Sequence, residues 1–163
     1  MKNLQNFNLR VFWIVVYFVC FAAFLITGFT PAEASKYKIS ANLEIPSIGL
    51  MSDVTNLKIV GRTLETPDDI IGSYNPSENK ILLVGHSSSV FGNLDRLWIE
   101  DKIIYNNETF SVTNYRIYKK DDLDMNTLLS REPEKTLVLM TCIGTSLPNN
   151  DATHRLVITA EVQ

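Results

Sequence analysis

The pattern of apolar and polar positions divides the chain into one long uncharged stretch and a series of short alternating ones. From Val11 to Phe29 no residue carries a charge, and as a helix these 19 positions would span about 28 Å, enough to cross the hydrocarbon core of a bilayer. Beyond it the pattern shortens. Asn42 to Leu50 alternates around Pro46, as an edge strand or a strand interrupted by a bend would. Val54 to Val60 is a second strand-like stretch, and the density of Gly, Pro, Asp, Asn and Ser from Gly61 to Asn79 predicts a long loop. Lys80 to Gly85 is a continuous apolar run between turn residues, as expected of a strand buried on both sides. Val90, Leu94 and Leu97 recur at three- and four-residue spacing behind Ser87, Ser88 and Ser89, predicting a short capped helix from Val90 to Trp98.

Lys102–Tyr105 and Glu108–Thr113 flank Asn106-Asn107, a pair that tolerates the positive φ of a tight two-residue turn, so a hairpin is predicted there. Tyr115 to Lys119 continues the meander. One or two helical turns follow between Asp121 and Ser130, with Leu123, Leu128 and Leu129 facing inward, before Pro133. The last strands are Thr136–Cys142 and Arg155–Val162, separated by a loop rich in Gly, Ser, Pro, Asn and Asp. Short strands, tight turns and no strand–helix–strand repeat favour a mainly β domain, mostly antiparallel. It would be an open sheet or a closed barrel of seven or eight strands with one or two short helices.

Charge orients the membrane segment. Lys2 and Arg10 precede it and Glu33 is the first charge after it, so residues 1–10 are expected in the cytoplasm and the rest outside. On this reading 11–29 is a transmembrane anchor, 30–40 a tether and 41–163 an extracellular domain. A signal peptide cleaved near Ala32-Glu33-Ala34 is the alternative, but the apolar run exceeds the usual signal core. Either way the folded domain is exported. The net charge of −3 has no basic block, which argues against nucleic acid as a partner.

Export changes the meaning of the two cysteines. Cys20 lies in the membrane segment, so Cys142 has no intramolecular disulfide partner in the external domain. It is either a small buried core residue of an exported binding module or a nucleophile. A nucleophilic thiolate needs a nearby base or cation, and acyl transfer also needs donors for the oxyanion. His86, at a strand-to-loop junction, and either His154 or Arg155, opening the final strand, have the required chemistry. Strand alternation lets only one of His154 and Arg155 face the cleft. Ser87, Ser88 and Ser89 lack the glycine-flanked elbow of a serine nucleophile. Asp121, Asp122 and Asp124 lack the spacing and glycine of a calcium loop.

The strand ending Leu139-Met140-Thr141-Cys142, the upstream Val84-Gly85-His86-Ser87 and the downstream His154-Arg155-Leu156-Val157 together resemble sortases, surface-protein transpeptidases of mainly Gram-positive bacteria. The likeness extends to Leu43–Leu50 as the opening strand and to the N-terminal anchor. It implies a sortase-like β-barrel in which Cys142 attacks the threonine carbonyl of an LPxTG-like sorting signal. A thioester forms and passes to an amine acceptor, a peptidoglycan precursor or a lysine. It further implies His86 as general acid and base, Arg155 as the group that holds substrate and oxyanion, and Thr141 as a substrate-positioning residue, with no cofactor or metal. A hydrolase of the same architecture, with water replacing the amine, is the nearest alternative. Met140 and the short loop from Ile143 to His154 depart from the family's usual pattern. The brief tether and the absence of a second membrane segment after Val162 favour wall anchoring, or a specialised variant, over pilus assembly.

Overall fold

A computed structural model of the protein describes residues 36–57, 59–60, 63–64, 66–147 and 151–163. The predicted membrane segment 11–29 lies outside these residues, as do 1–10 and most of the tether. Among the described residues no helix is long and apolar enough to cross a membrane. Tyr37–Gln163 forms one unit.

The strands are β1 (Ile39–Ile45), β2 (Leu50–Asn56), β3 (Ile59–Val60), β4 (Thr63–Leu64), β5 (Ile71–Ser77), β6 (Lys80–Val84), β7 (Lys102–Tyr105), β8 (Glu108–Lys119), β9 (Thr136–Ser146) and β10 (Ala152–Val162). Eight of them close a barrel in the order β1-β2-β5-β6-β9-β10-β8-β7, and β3 and β4 form a separate hairpin. The predicted mainly β closed barrel is therefore present, with six antiparallel neighbours and two parallel ones, β2–β5 and β6–β9.

Local chemistry sets the corners. Pro46 opens a 3₁₀ turn, and Gly49 closes it at φ 64° with its amide donating to the Pro46 carbonyl at 3.1 Å. The predicted bend thus separates two strands. Asn106 and Asn107, at φ 49° and 67°, make the predicted β7–β8 hairpin.

Every residue of β6 is buried. Ile81 and Leu83 join Leu137, Leu139, Leu156 and Ile158 inside the barrel, whereas Leu82 and Val84 join Val138 and Val157 on its outer face. That outer face is covered by Leu123, Leu128, Leu129 and Met140. The helical turns predicted between Asp121 and Ser130 supply part of this cover, as a 3₁₀ turn at Lys120–Asp122 and helix α1 (Met125–Leu128). Two-sided burial explains the uninterrupted apolar runs of β6 and β9.

Two expectations need correction. The predicted loop from Gly61 to Asn79 contains strand β5, whose small and polar residues hide it. Ser73 is buried, and its hydroxyl bonds to Asn56 Oδ1 at 3.1 Å and to the Thr55 carbonyl at 3.4 Å. The predicted helix from Val90 to Trp98 is instead a run of turns ending in a 3₁₀ turn, Leu94–Arg96. Phe91, Leu94 and Leu97 are the buried set, and their three-residue spacing suits this tighter geometry. Ser89 does not cap a helix; its hydroxyl donates to the Asp68 carbonyl at 2.6 Å.

Candidate active site

Strand register brings Cys142 and Arg155 side by side, with His86 just past the end of the neighbouring strand β6. On β6, β9 and β10, Val84 pairs with Met140 and Met140 with Val157, and all three side chains belong to the outer-face cluster. Two residues further along the same direction, and hence on the same face, come Cys142 on β9 and Arg155 on β10, while His86 follows β6 two residues beyond its last register pair, Val84–Met140. Cys142 and Arg155 are direct register partners, which sets their Cβ atoms about 5 Å apart. His154 pairs with Ile143 and alternates to the opposite face. Its Nδ1 lies 2.8 Å from Thr153 Oγ1. Of the two candidates on β10, Arg155 shares the face of the thiol.

The placement differs from the expectation in one respect. Cys142 and Arg155 stand within their strands, because β9 continues to Ser146 and β10 begins at Ala152. Only His86 sits just past a strand end, beyond β6. Its carbonyl accepts from the Ser89 amide at 3.2 Å and the Phe91 amide at 3.0 Å, which turns the chain sharply. Gly85 makes that turn possible: a Cβ there would lie 2.8 Å from Val90 Cγ2 and 2.9 Å from Phe91 Cδ2.

Thr141 faces the barrel interior and is buried. Its Oγ1 donates to the Gly85 carbonyl at 2.8 Å, while the Gly85 amide donates to the Met140 carbonyl at 3.4 Å. This pair of bonds extends the β6–β9 ladder past the end of β6, up to the residue before His86.

Cys142 is half-buried, as a free thiol, beside a cleft of about 210 Å³ that Ser87, Phe91, Asp95, Thr141 and Gly144 help to line. A larger hollow of about 410 Å³ lies at the β5–β6 turn, bounded by Ser77, Glu78, Asn79, Arg131 and Glu132. It holds no thiol, so chemistry rather than size locates the candidate site at the smaller cleft. The side chain of His86 is 38% exposed, with Nε2 3.9 Å from Oδ1 of the solvent-exposed Asp68. Among the described residues no group of three or more His, Cys, Asp or Glu side chains converges as a metal site would.

Arg155 is largely covered and held on several sides. Nη1 donates to the carbonyls of Ala152 at 2.9 Å and His154 at 3.0 Å, and Nη2 donates to Asp151 Oδ1 at 2.5 Å. The other carboxylate oxygen of Asp151 pairs with Lys120 Nζ. Lys120, the Ala152 amide and Arg155 together hold the Asp151 carboxyl well below the usual carboxylate range, against the opposing effect of burial. Asp151 and Lys120 did not stand out in the sequence. The signal available was an acid four residues before Arg155; Lys120 enters through β8, whose Lys119 pairs with His154.

A closed eight-stranded barrel that sets a thiol beside a guanidinium on neighbouring strands, with an imidazole just past the end of a third, has the parts of a cysteine acyltransferase. The Sortase domain model matches residues 43–163. The chain belongs to the sortase family, a family of cysteine transpeptidases. No curated protein matches it by sequence. Solved structures of similar fold include sortase A from Corynebacterium diphtheriae, with 20% identity and a TM-score of 0.57 over 78% of this chain and 62% of that one. Sortase A of Listeria monocytogenes is 16% identical, with a TM-score of 0.60 over 77% of this chain and 87% of that one. The sortase D5 transpeptidase of Clostridium perfringens is 21% identical, with a TM-score of 0.58 over 78% and 82%. The chain thus spans less than two thirds of the Corynebacterium diphtheriae chain.

Proposed function

We propose that the protein is a membrane-anchored cysteine transpeptidase acting on surface proteins that bear an LPxTG-like sorting signal, with its catalytic domain outside the cell. The observation that carries the reading is the direct register pairing of Cys142 with Arg155 across β9 and β10, with His86 two residues past the β6 residue that pairs with β9. The family membership and the uncharged segment 11–29 support it.

In the proposed reaction the Cys142 thiolate adds to the threonine carbonyl carbon, and the negative charge that develops on the oxygen is met by Arg155. The carbon–nitrogen bond then breaks, His86 gives its proton to the departing amine, and a thioester remains on Cys142. An incoming amine, from a peptidoglycan precursor or a lysine, adds to the thioester and loses a proton to His86. The carbon–sulfur bond breaks and the thiolate is restored. Arg155 suits its part because a guanidinium stays charged at any working pH. Thr141 acts by fixing the end of β6 next to His86 and by lining the cleft.

The test is the full-length chain in detergent, mixed with an LPxTG peptide, with and without an added amine, and followed by mass spectrometry. The amide product in the presence of amine supports the proposal. Peptide acid alone, in both conditions, would make the protein a hydrolase instead. Full activity in Cys142→Ala would refute the cysteine mechanism.

A further inference from the structure

We propose that Asp151 is the positioning residue for Arg155, and that Lys120 keeps the pair net cationic so that the guanidinium retains its charge for the substrate. The proposal rests on the transpeptidase reading above and deepens it. A guanidinium has five N–H donors. Three are committed, two to the Ala152 and His154 carbonyls and one to Asp151. Among the described residues the Nε hydrogen and one Nη2 hydrogen stand outside these bonds, and they offer a donor pair for a carbonyl oxygen turning into an oxyanion. Such donors act best when their direction is set before the reaction begins.

Asp151 is itself well placed to hold that direction. Its Oδ1 also accepts from the Ala152 amide at 2.8 Å, and its carbonyl accepts from the Leu147 amide at 2.7 Å, closing the connection between β9 and β10. The carboxylate is therefore fixed to the backbone beside the strand it serves. Its charge would by itself be a cost: an Asp–Arg pair is neutral and would weaken the field at the thiol and the oxyanion. Lys120, reaching across from the end of β8 to the second carboxylate oxygen, leaves the trio with one net positive charge. The Asp151 carboxyl, held well below its ordinary range, stays ionised wherever the enzyme works.

Steady-state kinetics on the full-length chain in detergent, with an LPxTG peptide and an amine, test the idea. Asp151→Asn should lower kcat about 10- to 100-fold with KM nearly unchanged, because the oriented donors matter only once the oxyanion forms. Asp151→Glu should recover part of the loss. The alkylation rate of Cys142 by anionic iodoacetate relative to neutral iodoacetamide should rise in Asp151→Asn, since a negative charge has been removed. A general structural defect would not produce that rise together with a lower kcat. Lys120→Met should reduce kcat less, lower the same alkylation ratio, and be rescued by Lys120→Arg. Wild-type kcat in Asp151→Asn would overturn the proposal. If that variant loses its cooperative melt, Lys120→Met decides, and an unchanged kcat and alkylation ratio there overturn it. Failure of the wild-type chain to form a Cys142 thioester would instead sink the transpeptidase reading itself.

Discussion

Cys142 stands opposite Arg155 on the neighbouring strand, and on the proposed mechanism it draws its reactivity from Arg155 and His86, each of which can be removed separately. Arg155→Lys keeps a positive charge but loses the planar fork of donors. On the proposed mechanism kcat falls about 100- to 1,000-fold, as expected for loss of an oxyanion donor, while iodoacetamide still labels the thiol. His154→Ala, on the other face of β10, should leave kcat within a few-fold of wild type; a loss as large as that of His86→Ala would mean the imidazoles had been assigned the wrong way round. Asp151 contributes to acid stability as well. Its carboxyl titrates below the ordinary value of 3.8 when folded, so its stabilising contribution is present above about pH 4 and is lost as the pH falls further. Thermal melts from pH 6 to pH 2 should therefore show the wild type losing its advantage over Asp151→Asn at the acid end. A constant difference across that range would contradict the pairing.

Among the elements, the join between β6 and β9 matters most to the site, because it carries His86 past the last regular strand residue. Gly85→Ala forces a Cβ against Val90 and Phe91, which costs about 1–3 kcal/mol as overpacking. It should lower Tm and depress activity beyond what the stability loss explains. Thr141→Val keeps shape but removes the donor to the Gly85 carbonyl, at a cost of about 1–3 kcal/mol. These elements were unevenly legible in the sequence. β6 and β9 announced themselves through uninterrupted apolar runs, because both faces of that part of the barrel are covered. β5 did not, since Gly72 and Ser73 satisfy a strand through backbone pairing on both sides and the buried Ser73 hydroxyl rather than through apolar alternation, and Asn75 and Pro76 fall at a break in its register. The segment 90–98 read as a helix because Val90, Leu94 and Leu97 fit a helical spacing. Phe91 was the residue overlooked, and its burial fixes the three-residue period instead.

Across the whole barrel, closure and strand order could not be read locally, since the parallel β2–β5 and β6–β9 pairs join segments far apart in the chain. The parity argument on β10 left His154 and Arg155 as equals, and only the register with β9 separates them. The resemblance to sortases favours Arg155, and the register sets Arg155 opposite Cys142. The Asp151–Lys120 support was illegible for the same reason: it depends on where β8 ends relative to β10. The central claim is that His86 and Arg155 turn Cys142 into an acyl carrier. The most direct measurement is intact-mass and peptide-mapping spectrometry of the full-length chain after brief exposure to an LPxTG peptide without amine. The account predicts an acyl adduct confined to Cys142, absent in Cys142→Ala and discharged when amine is added. Peptide cleavage that proceeds equally in Cys142→Ala, or an adduct at any other residue, would contradict it.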